Sequence, residues 1–285
     1  DVAFLVMDLL HRQRGDLAYR FLDAYLQITG DYAGLRVLRF YLAYRATVRA
    51  KVSALRSAQG DEHALQDCRD YLSLAARILE SSKPALIITY GLPGSGKTTL
   101  SQAIVENLGV VRLRSDVERK RLFGLHALQR PAQADDSLYT SQASERTYGY
   151  LLELTARILA SGFPVIVDAA FLRRDERRQF QALAESLTIP CVILQVEGDE
   201  SLIRRRLEQR HLNNRDASDA DASVYEMLKS VCEPPTVDEQ PSVVHWLNDT
   251  DLPMQSPTPL LVHLSNIMGL RLFQTLPTFI HKDSS

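Results

Sequence analysis

Between Ala85 and Thr98 the chain passes from an unbroken apolar run, Ala85-Leu86-Ile87-Ile88-Thr89-Tyr90, into Gly91-Leu92-Pro93-Gly94-Ser95-Gly96-Lys97-Thr98 and then into a helical pattern. The octet satisfies G-x-x-x-x-G-K-[ST] at every fixed position. A strand before it and a helix after it are the context that the motif requires. Glycines let the backbone curl until successive N–H groups converge, and the helix N-terminus adds partial positive charge. Such a turn holds phosphate. In this arrangement Lys97 reaches the outer phosphates of a nucleoside triphosphate and the Thr98 hydroxyl ligates Mg2+. The expected nucleotide-binding set is Gly91, Leu92, Pro93, Gly94, Ser95, Gly96, Lys97, Thr98 and Thr99, with ATP and Mg2+ as ligands.

A strand buried on both faces needs a sheet around it. Further short apolar runs follow at Val110–Leu113, Pro164–Val167, Pro190–Val196 and, more weakly, Val243–Leu247. Helical patterns separate them at Thr98–Leu108, Tyr139–Ala160, Arg174–Leu187 and Leu202–Arg210. That alternation predicts an α/β fold with a mainly parallel sheet flanked by helices. Asp216–Asp221 and the Pro253–Pro259 stretch read as loops.

The first 80 residues have another period. Val2, Leu5, Val6, Leu9 and Leu10 recur at helical spacing, as do Leu17, Phe21, Leu22, Tyr25 and Leu26, with Asp16 as N-cap and Gly30 as stop. A third helix is expected over 35–58, carrying a row of arginines, and a fourth over 61–79. Ser81-Ser82-Lys83-Pro84 breaks the pattern. The expected division is an all-helical segment over 1–82 and a nucleotide-binding domain over 83–285, within the soft prior for 285 residues.

Composition narrows the class of partner. With 45% apolar and 24% charged residues the chain is neither disordered nor collagenous. Its net charge of −2 announces neither a nucleic-acid surface nor a membrane surface. No run is long enough to span a bilayer and no signal peptide opens the chain. Cys68, Cys191 and Cys232 lie far apart, as in a reducing compartment, so a cytoplasmic location is expected. The first residue is Asp1, not Met, which suggests a fragment or a processed chain.

Asp168 closes the run Val165-Ile166-Val167. It is either the second Mg2+-holding acid or a strand-end cap. In Arg112-Leu113-Arg114-Ser115-Asp116-Val117-Glu118-Arg119-Lys120-Arg121-Leu122-Phe123-Gly124, Asp116 and Arg119 share a helical face. Phosphoryl transfer to an alcohol needs a carboxylate to take the hydroxyl proton and cations to hold spreading charge. Spacing alone leaves two readings open, a base with its arginine or a helix cap with an exposed basic face. In Ser201–Arg210, Ile203 and Leu207 define an inward face, while Arg206 and Arg210 share another. Those arginines belong to a lid or to a solvated face, and Arg204 faces Glu208. Arg215 is a weaker lid candidate and His126 a surface or packing residue.

Together, the phosphate loop and Asp116-x-x-Arg119 resemble the bacterial P-loop kinase and AAA-type ATP-binding group that includes polynucleotide 5′-kinases, gluconate kinases and zeta-toxin-like enzymes. The resemblance implies a kinase, with Asp116 as base and Arg119 on the acceptor side; Lys97, Arg206 and Arg210 complete the expected catalytic set. The opening helices, including Tyr41-Leu42-Ala43-Tyr44-Arg45-Ala46, resemble the C-terminal end of aminoglycoside phosphotransferase-like domains. The whole chain then looks like the C-terminal portion of a two-domain protein whose own N-terminal domain is a partner. The His-x-Asp-type loop of that family has no match in residues 1–82, whose aromatic and leucine stripes are expected to be core.

Three functions follow as expectations. The first is an ATP-dependent kinase acting on a hydroxyl of a small molecule, a nucleotide or a 5′-hydroxyl nucleic-acid end. The others are a regulatory nucleotide-binding ATPase without a dedicated acceptor, and a zeta-toxin-like nucleotide-sugar kinase. A local patch from Arg112 to Arg121 is expected to hold a short 5′ end or a phosphorylated metabolite.

Overall fold

Each of the five apolar runs becomes a strand, displaced by at most one residue, in one fully parallel sheet. The computed structural model describes residues 1–80, 83–126, 140–213, 222–249 and 257–273. Strands β1 (Leu86–Tyr90), β2 (Val111–Arg114), β3 (Val165–Asp168), β4 (Cys191–Glu197) and β5 (Val243–Leu247) lie in the order β2-β3-β1-β4-β5. Strands β1 and β3 are buried at every position. No residue of the edge strand β5 is fully buried, in keeping with its weaker apolar run.

Period-two alternation divides the core. Ile87, Ile166, Val192 and Leu194 face one side, under α5 (Lys97–Leu108) and α11 (Thr258–Met268), where Leu100, Ile104, Leu261 and Leu264 meet them. Leu86, Ile88, Val167 and Ile193 face the other side, under α7 (Ser141–Ala160) and α8 (Arg174–Ser186). The helices of the first 80 residues add to this core: α1 (Val2–His11), α2 (Gly15–Thr29), which also packs on α5 and β2, α3 (Leu35–Ala58) and α4 (Ala64–Leu79). Val6, Leu22, Leu26, Leu35 and Leu42 belong to the same apolar cluster as Ile88 and Val167. Helical segment and sheet therefore share one core.

Several local expectations change. Helix α11 begins at Thr258 and Pro259, which read as loop; proline is tolerated in a first turn because its missing N–H has no helical partner. Asp16 does not cap α2, which starts at Gly15; its carboxylate takes the Arg14 guanidinium at 2.8 Å. Gly30 ends that helix at φ 69°, as expected. The stripes of residues 1–82 are only partly core: Phe4, Phe40, Tyr41 and Tyr44 are exposed. Some arginines of α3 point inward instead, Arg39 lying 4.7 Å over the Phe163 ring and bonding Gly162 O. Ser81, Ser82, Asp216–Asp221 and 253–256 lie outside the described residues. Among the described residues no helix is long and apolar enough to cross a membrane, and all three cysteines are free thiols.

One buried arginine fixes the segment after β3. Phe171 has φ 48°, a costly conformation for a bulky residue. Its N–H donates to the Tyr148 hydroxyl at 3.1 Å and its carbonyl accepts from Arg177 at 3.0 Å. The Arg177 side chain is 0% exposed and paired with Glu239 at 2.7 and 2.8 Å. Replacing Glu239 by Ala strands that charge in the interior, so urea unfolding should show a loss of about 3–5 kcal/mol with an unchanged denaturant slope.

Candidate functional site

The phosphate loop leaves the carboxyl end of β1, where Gly91 N–H donates to Ala170 O at 3.2 Å. Gly91 adopts φ 150° and Gly96 φ 100°. A Cβ at Gly91 would lie 2.4 Å from Val196 O, and one at Gly96 2.1 Å from Asn248 Nδ2. Both positions thus need glycine on conformational and steric grounds. Asn248 Nδ2 donates to Ser95 O at 2.8 Å, so the residue just past β5 clamps the loop. Lys97 Nζ donates to Gly91 O at 2.7 Å and Leu92 O at 2.8 Å, inside the turn. The Ser95 hydroxyl is buried without a hydrogen-bond partner. An ammonium, a buried hydroxyl and a helix N-terminus in one turn suit a polyanionic phosphate. Thr99 stands exposed in the first turn of α5.

Strands β2 and β3 pair in a register that sets Arg114 opposite Asp168. Asp168 is 5% exposed; its Oδ2 accepts from Ser101 Oγ at 3.0 Å and lies 3.8 Å from Arg114 Nε. The Thr98 hydroxyl and the Asp168 carboxylate are both hard oxygen donors lining one cavity, which suits Mg2+.

That cavity, about 320 Å³, is lined by Lys97, Thr98, Asp168, Asp116 and Arg119 among others. Asp116 and Arg119 come from α6 (Ser115–Leu122), which starts where β2 ends. Tyr148, Arg173 and Glu176, which the sequence did not single out, also line it. Burial holds the Glu176 carboxyl above its ordinary range, partly offset by the Arg173 N–H and the Tyr148 hydroxyl. The Tyr148 phenol is likewise raised by burial. Their signal was positional only: Glu176 sits in the first turn of the helix after β3.

The remaining sequence candidates are placed differently. Helix α9 (Glu200–Asn213) packs Ile203 and Leu207 against Leu92 of the phosphate loop. Arg204 pairs with Glu200 at 2.8 Å and with Glu226, not with Glu208. Arg206 does not line the cavity; its guanidinium lies 3.4 Å from Asn248 Oδ1 and 3.5 Å from Asn248 O, one residue removed from the loop. The side chain of Arg210, and Arg215 entirely, lie outside the described residues, and His126 is exposed. The Arg112–Arg121 stretch is not an outward basic patch. Arg112 and Lys120 are buried, and Arg121 bonds Glu118 and Gln27 O.

Parallel order, phosphate loop and strand-end acid define a nucleotide-binding P-loop module of kinase-like architecture. Residues 86–235 match the family model described as AAA domain, and the chain belongs to that family. Uncharacterized proteins of Mycobacterium tuberculosis and Mycobacterium bovis are 32% identical over 219 residues, 76% of this chain. The chain spans 44% of the length of those curated relatives. A solved structure described as a candidate kinase from Chloroflexus aurantiacus superposes with TM-score 0.52 at 21% identity, covering 65% of this chain and 98% of that one. That likeness shows the shared fold.

Two measurements follow from the site. Gly96→Ala should weaken nucleotide binding by at least about tenfold in a fluorescence titration, because φ and the Asn248 contact must both change. Glu176 has a raised folded-state pKa, so its contribution to stability is complete below about pH 4.5 and is lost as pH rises through the folded value. The stability of the wild type relative to Glu176→Gln should therefore fall in urea midpoints as pH rises above about 4.5.

Proposed function

We propose that this chain is an ATP-dependent phosphotransferase that moves the γ-phosphoryl group of Mg·ATP to an alcohol. One observation carries the reading: a single cavity is lined both by the phosphate-loop residues Lys97 and Thr98 with Asp168 and by Asp116 and Arg119 of α6. A site for nucleotide alone has no need of the second group.

In this reading the acceptor oxygen attacks the γ-phosphorus while its proton passes to the Asp116 carboxylate. The bond from phosphorus to the bridging oxygen breaks and ADP leaves. Lys97 and Arg119 hold the charge that spreads over the transferred group. Thr98 and Asp168 would hold Mg2+, which when bound would supply further neutralisation at the phosphates. Arg206 and Arg210 on α9 serve as the lid, whose inner face already lies on Leu92. Arg173, Glu176 and Tyr148 shape the acceptor end. A cavity of about 320 Å³ supports a small hydroxylated acceptor, such as a sugar or sugar acid. A 5′-hydroxyl nucleic-acid end fits less well, since Arg112 and Arg121 bond within the protein.

The parts before and after the division at residues 82 and 83 differ in origin and share one core. An N-terminal domain of aminoglycoside phosphotransferase type is part of the same reading, and the mycobacterial relatives are long enough to carry one. A regulatory nucleotide-binding module is the second reading, favoured by the buried bonds between the helical segment and β2.

ADP release measured with Mg·ATP across sugars, sugar acids, aminoglycosides, nucleotide sugars and 5′-hydroxyl oligonucleotides separates the two. A kinase gives turnover that needs one acceptor and falls about 10²–10⁴-fold in Asp116→Asn, with nucleotide affinity retained. Slow hydrolysis that ignores the acceptor and the substitution sinks the phosphotransfer reading.

A further inference from the structure

A buried ion pair joins the helical segment to the nucleotide site. Arg112 of β2 and Asp23 of α2 have side chains 4% and 6% exposed. The guanidinium donates to Asp23 Oδ2 at 2.6 Å and Oδ1 at 3.2 Å, and to Gln102 Oε1 at 2.5 Å. Its remaining nitrogen, Nη1, points at the phosphate-binding helix. There it donates to Thr98 O at 3.2 Å and Ser101 Oγ at 3.1 Å.

Proton counting at Ser101 makes this contact directional. Its hydroxyl has one hydrogen and three polar neighbours: Arg112 Nη1, Thr98 O at 3.0 Å and Asp168 Oδ2 at 3.0 Å. Arg112 is always a donor, so Ser101 accepts from it. Arg112 also supplies Thr98 O, the carbonyl to which a helical serine turns by default. The serine hydrogen is thereby left for Asp168 Oδ2, which Arg114 also approaches at 3.8 Å. Both contacts fall on one carboxylate oxygen, Oδ2, of an acid that lines the cavity. A guanidinium anchored on the helical segment thus sets the orientation of the acid at the end of β3.

We infer that Asp23, acting through Arg112 and Ser101, is a positioning residue for the Mg2+ site at Thr98 and Asp168, so that residues 1–80 are needed for metal-assisted nucleotide binding and not only for folding. The inference rests on the nucleotide reading above, which places Mg2+ there. Outer partners of metal-holding carboxylates act in this way by fixing the ligand before the ion arrives.

The test uses the full chain and a fluorescent ADP analogue, titrated once with Mg2+ and once with a chelator. The readout is the gain in affinity that Mg2+ brings, with the melting temperature followed alongside. Asp23→Asn and Ser101→Ala should each cut that gain by about tenfold while the Mg2+-free affinity stays near wild type. Ser101→Ala keeps the ion pair, since Arg112 still reaches Asp23 and Thr98 O, and it decides the matter if Asp23→Asn does not fold. Arg20→Gln is the control. It breaks the exposed 2.7 Å bridge from Arg20 of α2 to Glu106 of α5, a second link between the same layers, and should leave the gain intact.

An unchanged gain in Ser101→Ala, or an equal loss in Arg20→Gln, overturns the inference. A wild type that binds the probe equally with and without Mg2+ overturns it too, while sparing the nucleotide site. A wild type that binds no nucleotide removes the functional reading beneath it.

Discussion

The phosphate loop is closed in from outside before any ligand is considered. Val196 O and Asn248 Nδ2 occupy the space where a side chain at Gly91 or Gly96 would stand, and Ile203 and Leu207 press on the same turn from α9. Three elements that follow the loop in sequence therefore decide its shape: the end of β4, the residue after β5, and the helix between them. The glycines are needed because neighbours crowd the turn as well as because of its curvature. The tight geometry that suits phosphate comes from the packed module, and the octet alone does not produce it.

Two buried guanidinium groups divide the work of holding the two walls of the cavity. Arg112 ties β2 and the first turn of α5 to α2, while Arg177 ties Phe171 to Glu239 and to Glu233 O. Removing a charge from water is expensive, and a bidentate carboxylate with further acceptors is the arrangement that offsets it. Each group carries that full set. The φ of Phe171, unfavourable for a bulky side chain, persists because Tyr148 and Arg177 bind both ends of its peptide unit and its ring is enclosed by Tyr148 and Phe180.

Much of the architecture was legible because a parallel sheet writes itself as continuous apolar runs, and the runs around Ile87 and Ile166 and the middle of the run around Ile193 are buried here. Helix ends were harder. Thr258-Pro259 signals a turn and a first helical turn equally well, and Asp16 can cap a helix or stand inside its first turn. At the site, the octet and Asp116-x-x-Arg119 are local patterns, so adjacency in sequence sufficed to find them. Glu176 and Tyr148 meet there only through tertiary packing, and Asn248 reaches the loop from residues that are distant in the chain. No spacing rule carries such information. The basic run at Arg112–Arg121 misled for the same reason: Asp23 and Gln27, which take up two of its charges, lie on a helix far upstream.

The shared core also sets an order of events during synthesis. Helices α1–α4 leave the ribosome before the sheet, yet Leu22, Leu26 and Leu35 belong to one apolar cluster with Val167 and Ile193, made much later. At usual translation rates the interval is on the order of ten seconds, long compared with helix formation and collapse. Through that interval those apolar faces lack the sheet that completes their core. The helices of residues 1–80 therefore wait for the sheet, a stage at which chaperone engagement or premature association competes with its arrival.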